Sequence, residues 1–221
     1  MIATVFALEF ESAGFQAMQS RQLCVSVWTL GVAGRRSGPA LRRMIEKARP
    51  EAIVSAGFSG ALQPGLELGT IVVGENFSDP QIVRAIPPHC DFRAGPTITV
   101  PEILETVAAK KTLGESSRAL AVDLESEHLY RVCLDAGIPM LSVRAISDTL
   151  EQEIPLPGSV LLDPATGRPD PVAIFHHLFK HPSQAPQFAK LVGNARVARQ
   201  KLATALGIIV PALLKSNSGN R

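Results

Sequence analysis

The stretch ALAVDLESEHLYRVCLDAGIPMLSVRAISDTL, from Ala119 to Leu150, decides the fold. It reads as a buried strand, an amphipathic helix and a second buried strand, with acidic residues where each strand ends. Asp123 and Glu125 follow the first strand, and Ser147 and Asp148 close the second. As neighbouring parallel strands of an α/β sheet, the two would deliver all four side chains to one carboxyl edge. Such sheets bind their ligands at that edge. A site that grips a polar substrate and moves a proton needs side chains of this kind.

Towards the N-terminus, strand-like runs alternate with helical patterns. Ile2 to Leu8 reads as a first strand, followed by a helix carrying Phe15 and Met18. Leu23 to Leu30 is rich in β-branched and aromatic residues, as a strand should be. After a glycine break (GVAG, 31–34), Leu41, Met44, Ile45 and Ala48 recur at helical spacing up to Pro50. Ala52 to Ala56 is expected as the next buried strand, with Gly57-Phe58-Ser59-Gly60 as the turn that ends it. A short β-run covers Ile71 to Val73. The proline-rich text from Asn76 to Pro96 reads as loop, and a helix is expected from Pro101, with Ile103, Leu104, Val107 and Ala108 on one face. This alternation predicts an α/β domain whose central sheet is covered on both sides.

Beyond Leu150 the composition changes. Residues 151–171 are dense in proline, which predicts a flexible loop or flap, and C-terminal helices are expected over 172–214. Phe175, Leu178 and Phe179 read as core or subunit contacts, or as a lid. A polar tail fills 215–221. With 221 residues, one domain over 1–214 is the simplest organisation. The apolar run from Leu202 to Leu214 is too short to span a bilayer and contains Pro211, so stable membrane insertion is not expected.

Composition excludes several classes. Hydrophobic residues make up 46% and charged residues 19% of the chain, too apolar for a disordered protein. The net charge is only +2 and the basic residues are scattered, which argues against a nucleic-acid partner. Cys24, Cys90 and Cys133 lack metal-ligand or redox spacing, so neither a metal nor a disulfide framework is expected. The N-terminus lacks the basic start and long apolar core of a secretory leader, which makes the cytoplasm the expected compartment. Neither glycine turn reads as G-x-G-x-x-G, so no dinucleotide cofactor is expected.

AVDLES followed by VRAISD resembles the paired signature of the purine nucleoside phosphorylase and nucleosidase superfamily. Within it, the chain is similar to the methylthioadenosine/S-adenosylhomocysteine nucleosidases. AVDLES and the long proline-rich C-terminal part also resemble the hopanoid-associated phosphorylases, regarded as adenosylhopane nucleosidases. The resemblance runs from Met1 to about Leu150. It implies a three-layer α/β/α sandwich with a central mixed β-sheet, no cofactor, and a homodimer.

Residue by residue, ALEFES resembles the segment that places Glu11 on the carboxylate activating the attacking water. VDLES places Glu125 on the carboxylate holding the ribose 2′- and 3′-hydroxyls, with Leu124 at a ribose-contacting position. RAISD places Asp148 on the acid that protonates purine N7, with Ser147 beside it and Arg144 supporting the loop. Gly57 and Phe58 fall in a glycine-rich segment that lines the ribose site. Phe58 stands where these nucleosidases usually carry a small residue, and no aromatic occupies the purine-stacking region around Ile98 to Leu104.

The chemistry calls for these residue types. Breaking an N-glycosidic bond leaves positive charge on the sugar and negative charge on the base. An acid at N7 turns the base into a neutral leaving group, and an ionised carboxylate opposite activates water and steadies the cation. Hence Glu11 is expected ionised and Asp148 neutral. A phosphorylase would need cations for a dianion beside the ribose. Arg35 and Arg36 are the plausible ones, while Glu9 and Glu11 oppose phosphate and favour water. Each acid also has a plain reading: Glu11 as a helix N-terminal charge, Asp123 as a cap, Asp148 as a turn residue. Asp123 is assigned the structural part. His176 and His177, adjacent on a helix, face different sides and make no metal site.

Overall fold

The computed structural model describes residues 1–18, 25–31, 34–163 and 166–218. Cys24, the middle of the GVAG turn, the side chains of Arg35 and Arg36, and the last residues of the polar tail lie outside the described residues. The chain runs β1 (Ile2–Phe6), α1 (Glu9–Met18), β2 (Val25–Thr29), α2 (Gly34–Ala48), β3 (Ala52–Ala61) and β4 (Ile71–Gly74). It continues with α3 (Pro80–Arg84), β5 (Arg93–Gly95), β6 (Thr97–Thr99), α4 (Val107–Ser117), β7 (Ala121–Asp123) and α5 (Ser126–Asp135). β8 (Met140–Asp148), α6 (Gly158–Leu161), α7 (Pro171–Lys180) and α8 (Ala185–Ser218) complete it.

The strands form one mixed sheet in the order β2-β1-β3-β8-β4-β5. β2, β1, β3 and β8 are parallel, β4 is antiparallel to β8, and β5 is parallel to β4. Strand alternation assigns the two faces. Ile2 and Phe6 of β1 pack with Ala52 and Val54 of β3 under α1 and α8. Ala3 and Val5 point the other way, with Ile53, under Leu41 and Ile45 of α2 and Leu129 and Val132 of α5. Two opposed apolar sets on successive residues require helices on both faces, and the result is the expected three-layer α/β/α sandwich.

Several local expectations are corrected. β7 and β8 are not neighbouring parallel strands: β3 lies between them, and β7 pairs antiparallel with the far end of β3 (Gly60 with Val122). An apolar run ending in an acid reports burial but not strand direction. The segment Gly57-Phe58-Ser59-Gly60 is not a turn, because β3 runs through it to Ala61. Its glycines serve close approach instead, as described below. Part of the expected loop between Asn76 and Pro96 is ordered as α3, capped by Asp79 accepting from Gln81 N–H, and as β5. The helix expected from Pro101 begins at Val107, where the Thr106 hydroxyl caps it. Leu104 packs instead against the cluster of Leu62 and Val122.

The proline-rich segment after Leu150 is pinned by buried Leu156 and by the Ile154 N–H, which donates to Glu105 O. Phe175 and Phe179 are not core: they are 71% and 77% exposed. The late apolar run belongs to a helix far longer than expected. The stretch Pro182–Ser216 is long and apolar enough to cross a membrane by length and composition. Its apolar side is nonetheless used within the domain. Leu202, Leu206, Ile209, Val210 and Leu213 are buried against the sheet, each worth about 1.5–3 kcal/mol.

Candidate functional site

Glu11 stands in the first turn of α1. Its Oε2 accepts the Leu8 N–H (2.9 Å), reaching back over the helix start as the acidic half of a capping box does. Its Oε1 accepts the Phe58 N–H (2.9 Å), which ties α1 to β3. Gly57 makes this approach possible, since a Cβ there would fall 3.1 Å from Glu11 Oε1. Burial raises the proton affinity of Glu11, while the Leu8 and Phe58 amides and the Arg144 charge pull it back.

Arg144, in the middle of β8, is the cation around which the acids collect. Its Nε donates to Asp123 Oδ2 (2.9 Å). Its Nη1 donates to the Ser55 and Val143 carbonyls (2.9 and 3.0 Å), and its Nη2 donates to Ser55 Oγ and Ser126 Oγ (2.9 and 2.8 Å). All five guanidinium donors are thereby committed, which is how a buried arginine is tolerated.

Asp123 is consumed by structure. It accepts the Thr99 hydroxyl (2.8 Å), the Glu125 and Ser126 amides (3.1 and 3.0 Å) and the Ser126 hydroxyl, besides Arg144. Burial opposes its charge, but Arg144 and the Ser126 and Thr99 hydrogen bonds hold it below the usual carboxylate range.

Glu125 is different. It is 9% exposed, and its Oε1 is a buried acceptor with no partner. It borders a cavity of about 10 Å³, shared with Ala7, Ser37, Gly57 and Arg144 and roughly the room for one water. Burial, then the charges of Asp123 and Glu11, push it up to about 8, against the pull of Arg144. Three carboxyls around one cation cannot all ionise cheaply away from water, and burial favours the protonated form of Glu125. Leu124, next to it, is half-buried.

Asp148 ends β8 across a bulge. Ser59 pairs with Ile146 and Gly60 with Asp148, so Ser147 is the extra residue. Bulges next to sites re-aim side chains, and here Ser147 Oγ donates to Asp148 Oδ1 (2.8 Å). Gly60 leaves the room, because a Cβ there would lie 2.8 Å from Asp148 Oδ2. The same Oδ2 meets Lys110 Nζ at 2.5 Å, in an ion pair whose lysine is 1% exposed. A cleft of about 640 Å³, lined by Asp148, Gln152, Lys190 and Asn194, opens beside it.

The structure thus brings Glu11, Gly57, Phe58, Glu125 and Arg144 together at the carboxyl half of β3. Ser147 and Asp148 sit further along, at the end of β8. Asp148 lies in an ion pair with Lys110, while burial raises the proton affinity of Glu11 and Glu125.

Sequence reasoning missed Lys110, one of two adjacent lysines whose partner Lys111 is exposed and pairs with Glu151. The available signal was Gly114, one helical turn later on the same face of α4. It also missed Phe10, whose ring meets Phe58 edge-on (6.3 Å) under the Arg199 guanidinium (4.5 Å). No group of side chains suited to hold a metal occurs among the described residues.

The mixed sheet between two helical layers is a fold shared with several solved nucleosidases. The chain is similar to the Helicobacter pylori 5′-methylthioadenosine/S-adenosyl homocysteine nucleosidase, at 13% identity over 95% of this chain and 97% of that one, with a TM-score of 0.69. Helicobacter pylori futalosine hydrolase gives the same figures. The Streptococcus pyogenes S-adenosylhomocysteine nucleosidase, in complex with 5-methylthiotubericidin, matches at 18% identity over 93% and 95%, with a TM-score of 0.63. No protein-family model matches the sequence. At these identities the likeness establishes a shared fold.

Proposed function

We propose that this protein hydrolyses the N-glycosidic bond of a 5′-modified adenosine, of the methylthioadenosine, S-adenosylhomocysteine or adenosylhopane type, releasing adenine. The observation that carries the reading is the pair of buried carboxyls, Glu11 and Glu125, set about Arg144 with Glu125 Oε1 unpartnered. A buried acceptor without a donor is costly in the free protein and is satisfied by a ligand hydroxyl. Glu125 takes the ribose hydroxyls, Glu11 takes a proton from the attacking water, and Asp148 delivers a proton to N7. The electron pair of the breaking C1′–N bond withdraws into the base. The apolar pair Phe10 and Phe58 supports an apolar 5′-substituent.

A phosphate-dependent reaction is one alternative, and a catalytically idle nucleoside-binding protein is the other. Against the first, Arg144, the buried cation beside Glu11 and Glu125, has every donor committed and none left for a dianion. Turnover of methylthioadenosine, S-adenosylhomocysteine, adenosine and inosine, read by base release with and without phosphate, tests the proposal. Free sugar without phosphate supports it; sugar 1-phosphate alone refutes hydrolysis. Asp148→Asn should cut kcat about 100- to 10,000-fold, and undiminished release would remove Asp148 from its role. The same reading includes a homodimer, which a 23.6 kDa species in sedimentation equilibrium would refute.

A further inference from the structure

The acid assigned to protonate the base, Asp148, lies in a close pair with a buried lysine. Its partner, Lys110, is buried, and its ammonium donates to Asp148 Oδ2 (2.5 Å), Gln152 O (2.7 Å) and Thr149 O (3.2 Å). All three ammonium protons therefore face the segment that leaves β8. The placement is built in. The buried residues of α4 are Lys110 and Gly114, one turn apart. A side chain at Gly114 would collide with the Leu62 carbonyl just beyond β3. Glycine there lets α4 lie against the end of the sheet and sets Lys110 at the carboxyl edge. Gln152 fixes the receiving loop, its Oε1 accepting from Thr149 N–H (3.1 Å) and Asn194 Nδ2 (3.2 Å).

Burying a lysine carries a desolvation cost that its pairing only partly offsets. Resting on the nucleosidase reading above, we propose that Lys110 is the positioning residue and proton source for Asp148 in departure of the base. During cleavage a proton passes from Lys110 Nζ to Asp148, and from Asp148 to purine N7. As the C1′–N bond breaks, its electron pair withdraws into the protonated base, which leaves neutral. Lys110, left as an amine, regains a proton from water once the base has gone, and Glu11 releases to solvent the proton it took from the attacking water. Proton and charge balance over the turnover with no further reactant.

The test uses leaving groups. A purine needs a proton to depart, whereas 4-nitrophenolate leaves as a stable anion. Lys110→Met and Lys110→Arg would be compared with the unaltered protein on the nucleoside it cleaves and on the 4-nitrophenyl riboside bearing the same 5′ group. Lys110→Met should lower kcat on the nucleoside about 100- to 10,000-fold with little change in KM, and on the nitrophenyl riboside less than about 10-fold. Lys110→Arg keeps the positive charge but gives up no proton, so it should recover little of the nucleoside activity, and full recovery would overturn the proton transfer. Retained nitrophenyl cleavage also shows that the variant is folded. Equal losses on both substrates, or no loss on the nucleoside, would overturn the proposal while leaving the nucleosidase reading intact. An unaltered protein that cleaves neither substrate would remove that reading and this inference with it.

Discussion

Glu125→Gln isolates the electrostatic cost of the site. Glu125 is nearly isosteric with glutamine, and its carboxyl is pushed from 4.5 to about 8 by burial and by Asp123 and Glu11. A carboxyl with a raised folded pKa is protonated in the native state over a window where the unfolded chain has already ionised. Between those values the native state binds the extra proton, so stability falls as pH rises, and the loss is complete above about 8. At 1.36 kcal/mol per pH unit, the window corresponds to about 5 kcal/mol as an upper figure. Glutamine cannot ionise and removes this slope. In urea unfolding from pH 5 to pH 9, the stability of Glu125→Gln minus that of the unaltered protein should climb by several kcal/mol and flatten beyond pH 8. Parallel pH curves for the two proteins would refute the burial argument and the proton placement it supports.

Arg144→Met should cost about 3–5 kcal/mol, because it leaves Asp123 buried without its cation. The sign on the acid side is opposite to that for Glu125. The lowered Asp123 adds stability above its ordinary value of 3.8 that is lost as pH falls through the folded value, so the variant should show a shallower acid limb. Phe58→Ser removes the edge contact with Phe10, worth about 0.5–1.5 kcal/mol. KM for a nucleoside with an apolar 5′ group should rise up to about tenfold, while kcat holds; a fall in kcat alone would place Phe58 elsewhere.

The alternation of β1 and β3, with successive residues apolar towards opposite layers, is a local pattern, and it made the sandwich legible from the sequence. The places of Glu11, Glu125 and Asp148 beside strand ends were legible from the sequence, whereas the roles expected of them came from the family resemblance. Strand direction was not. β7 is three residues long, and its antiparallel place beside Gly60 is set by how the chain returns from α4. Nor could the sequence separate Lys110 from Lys111, since one residue of helical phase buries the first and exposes the second. The segment Gly57–Gly60 carried turn-like composition for a reason that only the packing shows: two carboxyls lie against β3 where side chains would stand.

Those two glycines allow the halves of the site to be separated. Gly57 gives room to Glu11 Oε1, with a Cβ 3.1 Å away, and Gly60 gives room to Asp148 Oδ2, with a Cβ 2.8 Å away. Both lie on one strand, so Ala at either position has similar backbone consequences and differs in the carboxyl it displaces. Gly60→Ala forces Asp148 off its pair with Lys110 and should impair only departure that needs a proton. Gly57→Ala pushes on Glu11 and should impair water attack whatever leaves, though less severely, since 3.1 Å requires only a few tenths of an ångström of give. On the proposed mechanism, Gly60→Ala lowers kcat on the nucleoside at least about tenfold more than on the nitrophenyl riboside, and Gly57→Ala lowers both alike. Identical substrate profiles for the two variants would mean that β3 does not divide an acid from a base, and the assignment of Glu11 and Asp148 to opposite faces of the sugar would fail.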